Sequence, residues 1–190
     1  AYVRRQSHGV SSMVALVNGS GVVISAYIGD VNTDEVYGYR PDSKKVFRIT
    51  RQDSFEELRG ELHTAHARPS LDRIQCLLRD PLEKYSWCSK SLVGMCKNYE
   101  VMGSSIGTWM ARLWKNEVSA VLIQPGWETP WDSTPVIGIS KVLGYVYLRP
   151  VNTYNSIWEV YEPEVIREKK YRSHDTLVIH ASNLHLLKVK

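Results

Sequence analysis

His63 and His66 stand at the i,i+3 spacing that puts two imidazoles on one face of a helix. A zinc site there needs carboxylate or thiolate ligands brought from elsewhere in the chain, and the pair reads instead as a solvated helix end. His180-Ala181-Ser182, with His185 close behind, lies in a strand-like tail. It faintly resembles half of a phosphoesterase pattern, a signal that carries no weight by itself. Glu159, Glu162 and Glu164, followed by Lys169, offer the groups of a metal-dependent nuclease. Such sites want a carboxylate and a lysine two residues apart on one strand, a spacing that Glu159, Glu162, Glu164 and Lys169 do not make. No P-loop or G-x-G-x-x-G pattern is present. The residues therefore predict a domain that binds something rather than catalyses, with no catalytic residues, metal ligands or cofactor.

The elements that would carry such groups follow from composition and pattern. The 190 residues suit one core with at most a small appendage, and 43% apolar and 23% charged residues are ordinary for a globular fold. The longest apolar runs, such as Val118 to Ile123, are far short of the ~20 residues of a membrane span. The chain opens on Ala1 without a charged-then-apolar leader, as expected of an intracellular chain or an excised piece of a longer one. Cys76, Cys88 and Cys96 form no C-x-x-C and are read as buried free thiols. A net charge of +4 permits phosphate contact without demanding it. Six Trp and 11 Tyr against 2 Phe favour stacking platforms and interfaces, although most of these rings are expected in the core.

Ser12–Val17 and Val22–Ile28 read as strands around Asn18-Gly19-Ser20-Gly21, and Glu35–Arg40 and Lys45–Ile49 as a second pair around Pro41-Asp42-Ser43. Helical spacing follows from Asp53 to Leu62 and again from Ser70 to Leu78, then over Trp87–Lys97 and Ile106–Asn116, with Gly103-Ser104-Ser105 as a loop. Strands return at Val118–Gln124, Val136–Ile139, Val142–Leu148, Glu159–Tyr161 and Thr176–Val189. The order predicts an α+β fold: a mixed or antiparallel sheet packed against a helical middle segment, with Trp114 and Leu122 buried.

One stretch adds a resemblance. Trp109-Met-Ala-Arg-Leu-Trp-Lys-Asn-Glu-Val-Ser-Ala-Val-Leu-Ile-Gln-Pro-Gly-Trp127, continuing to Pro135-Val-Ile-Gly-Ile139, resembles the cap-binding domain of polymerase basic protein 2 from orthomyxoviruses, in a divergent thogotovirus-like form. Gly29 to Tyr39 with Lys45 to Ile49, and the tail Ser173 to Lys188, follow the same element order. The resemblance implies that residues 1–150 form a cap-binding-like domain and that 151–190 are a strand or linker segment packed on it or following it. A bound 7-methylguanine would be clamped by aromatic faces and read by a carboxylate, with basic side chains on its triphosphate. Tyr39 falls at one stacking position and Asp42 at the guanine-reading carboxylate. Lys44, Lys45 or Arg59 supply positive charge, and Tyr85 and Trp87 stand nearest the second stacking position, where a core role competes.

The function so implied is that of a non-catalytic, monomeric domain of a viral RNA polymerase serving cap snatching, with cap affinity weak or lost. Its partners would be the other polymerase subunits and capped RNA 5′ ends rather than a membrane, and its place the host nucleus and the virion. A cap-independent scaffold and an unrelated metal-dependent nuclease are the alternatives.

Overall fold

Asn18 closes the first hairpin through its own side chain, its Oδ1 accepting from the backbone N–H of Ser20 and Val22 at 3.0 and 2.9 Å. Strands β1 (Ser11–Val17) and β2 (Val23–Asp30) flank it, and β3 (Glu35–Tyr39), β4 (Val46–Ile49) and β5 (Phe55–Leu58) continue as an antiparallel five-stranded sheet in sequence order. This is a computed structural model, and it describes residues 9–40, 42–43, 45–50, 52, 55–58, 71, 74–152 and 154–190.

A second, mixed sheet has seven strands in the order β14-β11-β10-β13-β8-β6-β7. These are β6 (Gln75–Leu78), β7 (Asn98–Val101), β8 (Ala120–Ile123), β10 (Tyr145–Pro150), β11 (Ile157–Tyr161), β13 (Thr176–His180) and β14 (Lys188–Val189). Period-2 alternation gives each face of this sheet its own core. Val121 and Ile123 join one cluster with Tyr147 and Val178, while Ala120 and Leu122 join another with Leu148 and Leu177. The first face packs on α2 (Ile106–Trp114) and α3 (Pro130–Val142), which also lie against β1 and β2. The second face is covered by α1 (Trp87–Met95), through Cys88, Leu92 and Val93. The layers therefore run sheet, helices, sheet, helix. Trp114 and Leu122 are fully buried, as their positions in apolar patterns predict.

Close approach of the helices to the five-stranded sheet depends on two glycines. A Cβ on Gly107 would collide with Ser11, and one on Gly138 would lie 2.6 Å from Val23 Cγ1. Gly144, at φ +83°, ends α3 in the left-handed conformation that glycine adopts without a Cβ penalty, and turns the chain into β10. A small ribbon pairs β9 (Gly126–Glu128) with β12 (Lys170–Arg172) beside the start of α3.

The α+β class holds, with corrections inside it. Phe55–Leu58 is a strand rather than a helical turn, and Gln75–Leu78 is an inner strand one from the sheet edge, its short apolar run buried between β8 and β7. Short apolar runs satisfy helix and strand templates alike. Val136–Ile139 is the reverse case. It lies inside α3, where every residue from Ser133 to Ser140 is buried between two sheets, so no polar face marks the helix. Of the first expected helix, Asp53 to Leu62, the remaining positions 53–54 and 59–62 lie outside the described residues.

Candidate functional site

The residues expected to bind a ligand do not converge. Tyr39 is 5% exposed, and its Oη donates to Val23 O at 2.9 Å, fastening β3 into the core between the five-stranded sheet and the helices. Tyr85 is 3% exposed and belongs to the other core cluster. Its Oη donates to Leu122 O at 3.0 Å and accepts from Arg79 N and Asp80 N. Both rings are structural. Trp87 is 55% exposed at the start of α1, Asp42 sits on an exposed turn, and Lys45 pairs with Glu57 at 2.8 Å. Lys44, Arg59, His63 and His66 lie outside the described residues. The carboxylates of the tail are spread over surface ion pairs: Glu159 with Arg149 at 2.6 Å, Glu162 with Lys141, and Glu164 with Lys170. His180 accepts from Ser182 N at the start of a 3-10 turn. The thiols are free; burial pushes Cys88 and Cys96 up to about 11 and Cys76 well above its usual value.

A different set of residues forms a cleft. Helices α2 and α3 begin side by side, and Ser104, Ser105 and Trp109 from one face Thr129, Asp132 and Ser133 from the other across about 250 Å³. The first N–H groups of a helix lack intrahelical partners, and the helix dipole adds roughly half a positive charge at that end. Two N-termini opening on one cleft make a place for an anion. Thr129 is the N-cap of α3, and Pro130 takes the first helical position, where its missing N–H is no loss. Thr129 Oγ1 donates to Asp132 Oδ2 at 2.5 Å, and Ser133 Oγ donates to Thr129 O at 3.0 Å, so the first turn holds its own acid in place. Arg79, at the end of β6, stands over the Trp109 ring at 5.7 Å on the cleft wall.

The ribbon closes one side. Arg172 binds Glu128 and also donates to Gln124 O at 2.5 Å and to His174 O at 3.1 Å, which ties β12 to the end of β8. Beyond this bridge the cleft continues into a larger chamber of about 370 Å³ bounded by α3, β10, β11 and the ribbon. His174 lies in its wall, edge-on to Tyr161 at 5.1 Å, with Nδ1 2.9 Å from Asp175 O. Burial lowers the His174 pKa, the Asp175 carbonyl opposes that shift, and Arg172 and Arg149 reinforce it.

Of the acids at the cleft, Asp132 is held by a hydroxyl and Glu128 by a guanidinium. Among the described residues, no three His, Cys, Asp or Glu side chains gather closely enough to hold a metal ion. Magnesium takes about six ligands and keeps several waters, so the described residues do not by themselves complete a divalent-cation site. Sequence reasoning missed the cleft because residues 125–135 fall between two expected strands, Val118–Gln124 and Val136–Ile139, and so read as a connection. The signal was present: Thr at N-cap, Pro at N1 and Asp at N3 together spell a helix start.

No protein-family model matches this sequence, and no curated protein matches it. Solved structures match its fold. SuhB of Mycobacterium tuberculosis superposes with a TM-score of 0.63 at 12% identity over 97% of this chain and 63% of its own. Inositol monophosphatase-II of Staphylococcus aureus MSSA476 gives 0.65 at 14% identity over 97% and 60%. SaIMPase-II with inositol monophosphate bound gives 0.64 at 12% identity over 95% and 61%. The chain thus spans about three-fifths of the length of these structures. These likenesses overturn the resemblance to the cap-binding domain of polymerase basic protein 2. With it fall the polymerase function, its partner subunits and capped RNA, and the nuclear and virion location, since the structures sharing this fold include bacterial ones. The expectation of a non-catalytic domain falls too, because inositol monophosphatases are enzymes. The physical reason is that Gly126-Trp127 and Pro135-Val-Ile-Gly-Ile139, which helped carry that resemblance, belong to the ribbon strand β9 and to the buried helix α3. Over the part it shares, this chain has the inositol monophosphatase fold.

Proposed function

We propose that this chain is the phosphate-holding part of a phosphomonoesterase of the inositol-monophosphatase type. The observation that carries the reading is the meeting of two helix N-termini at one cleft, with Asp132 in the first turn of α3 and bound by Thr129 Oγ1 at 2.5 Å. A phosphate group fits between the N-termini, where backbone N–H groups and Arg79 offset its charge. The Asp132 carboxylate then stands beside the phosphorus as a proton acceptor for an attacking water. In hydrolysis the water oxygen bonds to phosphorus and gives one proton to Asp132, the ester P–O bond breaks, and the alkoxide leaves as the alcohol after taking a proton from solvent, to which Asp132 returns its own. Two solved neighbours hold inositol monophosphate and 2′-AMP, both phosphate monoesters on a hydroxylated ring, and this supports the same substrate class here. Of the readings open from the sequence, a metal-dependent enzyme accords better with these neighbours than a polymerase domain does, at the cleft rather than at Glu159, Glu162 and Glu164, which sit in surface ion pairs.

The test is release of inorganic phosphate from an inositol monophosphate and from 2′-AMP, with Mg²⁺ supplied. Hydrolysis is expected, and Asp132→Asn lowers kcat by roughly a hundredfold or more, the usual range for a lost general base. Failure to bind or cleave either ester, or full activity in Asp132→Asn, contradicts the proposal.

A further inference from the structure

The five-stranded sheet has an open edge at β1, and we infer that this edge is a strand-addition site: an extended apolar segment of another polypeptide, carrying an acidic residue, pairs with β1 as a sixth strand. Its role does not depend on the proposed phosphatase activity. β1 stands first in the sheet and pairs with β2 on one side only. Val31 N donates to Val10 O at 3.0 Å, and this bond sets the alternation of the antiparallel ladder. Ser12 and Val14 therefore turn their backbone groups toward β2, while Gly9, Met13 and Ala15 turn theirs outward. Ser105 N uses the beginning of the edge, donating to Gly9 O at 3.3 Å. Further along, the N–H and C=O groups of Met13 and Ala15 have no partner among the described residues. Sheet edges that must stay unpaired are blunted by charges, prolines or bulges. Ser11-Ser-Met-Val-Ala-Leu-Val17 has no charge and no proline, and its bulge falls at Leu16–Val17, at the hairpin end.

The surroundings of the edge select what adds to it. A groove of about 500 Å³ runs beside the strand, lined by Met13 and Ala15 of β1, Trp131 and Pro135 of α3, and Ile166 and Arg167. Successive side chains of an added strand point to opposite faces. One set enters the groove against Trp131, which is 65% exposed, and the other lies on the outer sheet face beside Val14 and Leu16, 62% and 56% exposed. A strand covered on both faces is a continuous apolar or β-branched run. Charge adds the last requirement. Lys170 and Arg172 are matched by Glu164 and Glu128, whereas Arg167 makes no ion pair among the described residues. An acid on the incoming segment gives Arg167 its counter-charge. The β1 strand of a second copy brings no acid, so the segment belongs to a different polypeptide.

The probes are two fluorescein-labelled nonapeptides of valine and threonine, one with a glutamate at its first position and one with it at its last. They are titrated into the whole chain by anisotropy, and amide hydrogen exchange is followed by NMR. Saturable binding is expected, with exchange of the Met13 and Ala15 amides slowed at least tenfold and that of Val14, already bonded to β2, little changed. N-methylating alternate peptide amides should abolish binding in one parity and spare it in the other. Ala15→Pro removes an outward N–H at a place where edge strands accept proline. Its circular dichroism should match the wild type and its peptide binding should be lost; if the variant does not fold, the parity of N-methylation decides alone. Arg167→Gln should weaken the better glutamate peptide about two- to fivefold, the value of one exposed ion pair, and leave its glutamine analogue unchanged. Absence of saturable binding, equal effects of both N-methylation parities, or protection that bypasses Met13 and Ala15 overturns the strand-addition site. Self-association in sedimentation that Ala15→Pro removes would give the edge to a second copy and overturn the assignment to another polypeptide.

Discussion

Adding one methyl group at Gly138 tests the layering that holds α3, and with it the cleft, in position. An ideal Cβ there would lie 2.6 Å from Val23 Cγ1, 2.9 Å from Tyr39 Oη and 3.2 Å from Val23 Cβ, against ~3.5–4.0 Å for comfortable carbon contacts. Of these atoms, Tyr39 Oη also donates to Val23 O at 2.9 Å. Overpacking of a core costs about 1–3 kcal/mol, and loosening that bond adds about 1 kcal/mol. Alanine recovers about 1 kcal/mol of helix propensity. Gly138→Ala should therefore destabilise the protein by about 1–3 kcal/mol, lowering the urea midpoint by roughly 0.5–1.5 M for an m-value of ~2 kcal/mol/M. Gly94 in α1 is the internal control, since a Cβ there meets nothing within 4 Å. Gly94→Ala should stabilise by up to about 1 kcal/mol. Tyr39→Phe in the Gly138→Ala background should recover part of the loss, because it removes one of the colliding atoms. Stabilisation by both alanines would refute the packing of α3 against β2.

Other predictions concern the chamber wall. The depressed pKa of His174 means that the unfolded chain, titrating near its ordinary ~6.5, takes up a proton that the folded chain refuses. Its contribution to stability is therefore present above about pH 6.5 and is lost as pH falls toward the folded pKa. Melting temperatures between pH 7.5 and 5.5 should drop more steeply for the wild type than for His174→Gln; parallel curves would contradict the burial of that ring. Arg172→Met removes the partner of Glu128 and two carbonyl contacts. A loss of about 2–3 kcal/mol is expected in urea unfolding, below the ~3–5 of a fully buried pair because the Glu128 side chain stays 30% exposed.

What the sequence disclosed follows from where local and global forces agree. The two early hairpins were legible because Asn18 and the Pro41-Asp42-Ser43 turn carry their own mechanism, and α1 and α2 because each has a serine at its start and an apolar stripe. Helix α3 and strand β6 were not legible. One is apolar on all sides and the other is four residues long, so periodicity cannot separate helix from strand in either. The site was hidden for the same reason. Ser104 and Asp132 stand 28 positions apart in sequence, and only the pairing of α2 with α3 brings their turns to one cleft. The aromatic residues that suggested a cap pocket, Tyr39 and Tyr85, use their hydroxyls to fasten the core instead.

The central claim is that a phosphate monoester binds between the N-termini of α2 and α3. Titration of ¹⁵N-labelled protein with 2′-AMP, followed by amide and indole resonances, tests it directly. The account predicts that the largest shifts fall on Ile106 and Gly107 at the start of α2, on Trp131 to Ser133 at the start of α3, and on the Trp109 indole, and that they shrink in Asp132→Asn. Shifts confined to the hairpin of Tyr39, Asp42 and Lys45, or no shifts at millimolar ligand, would contradict it.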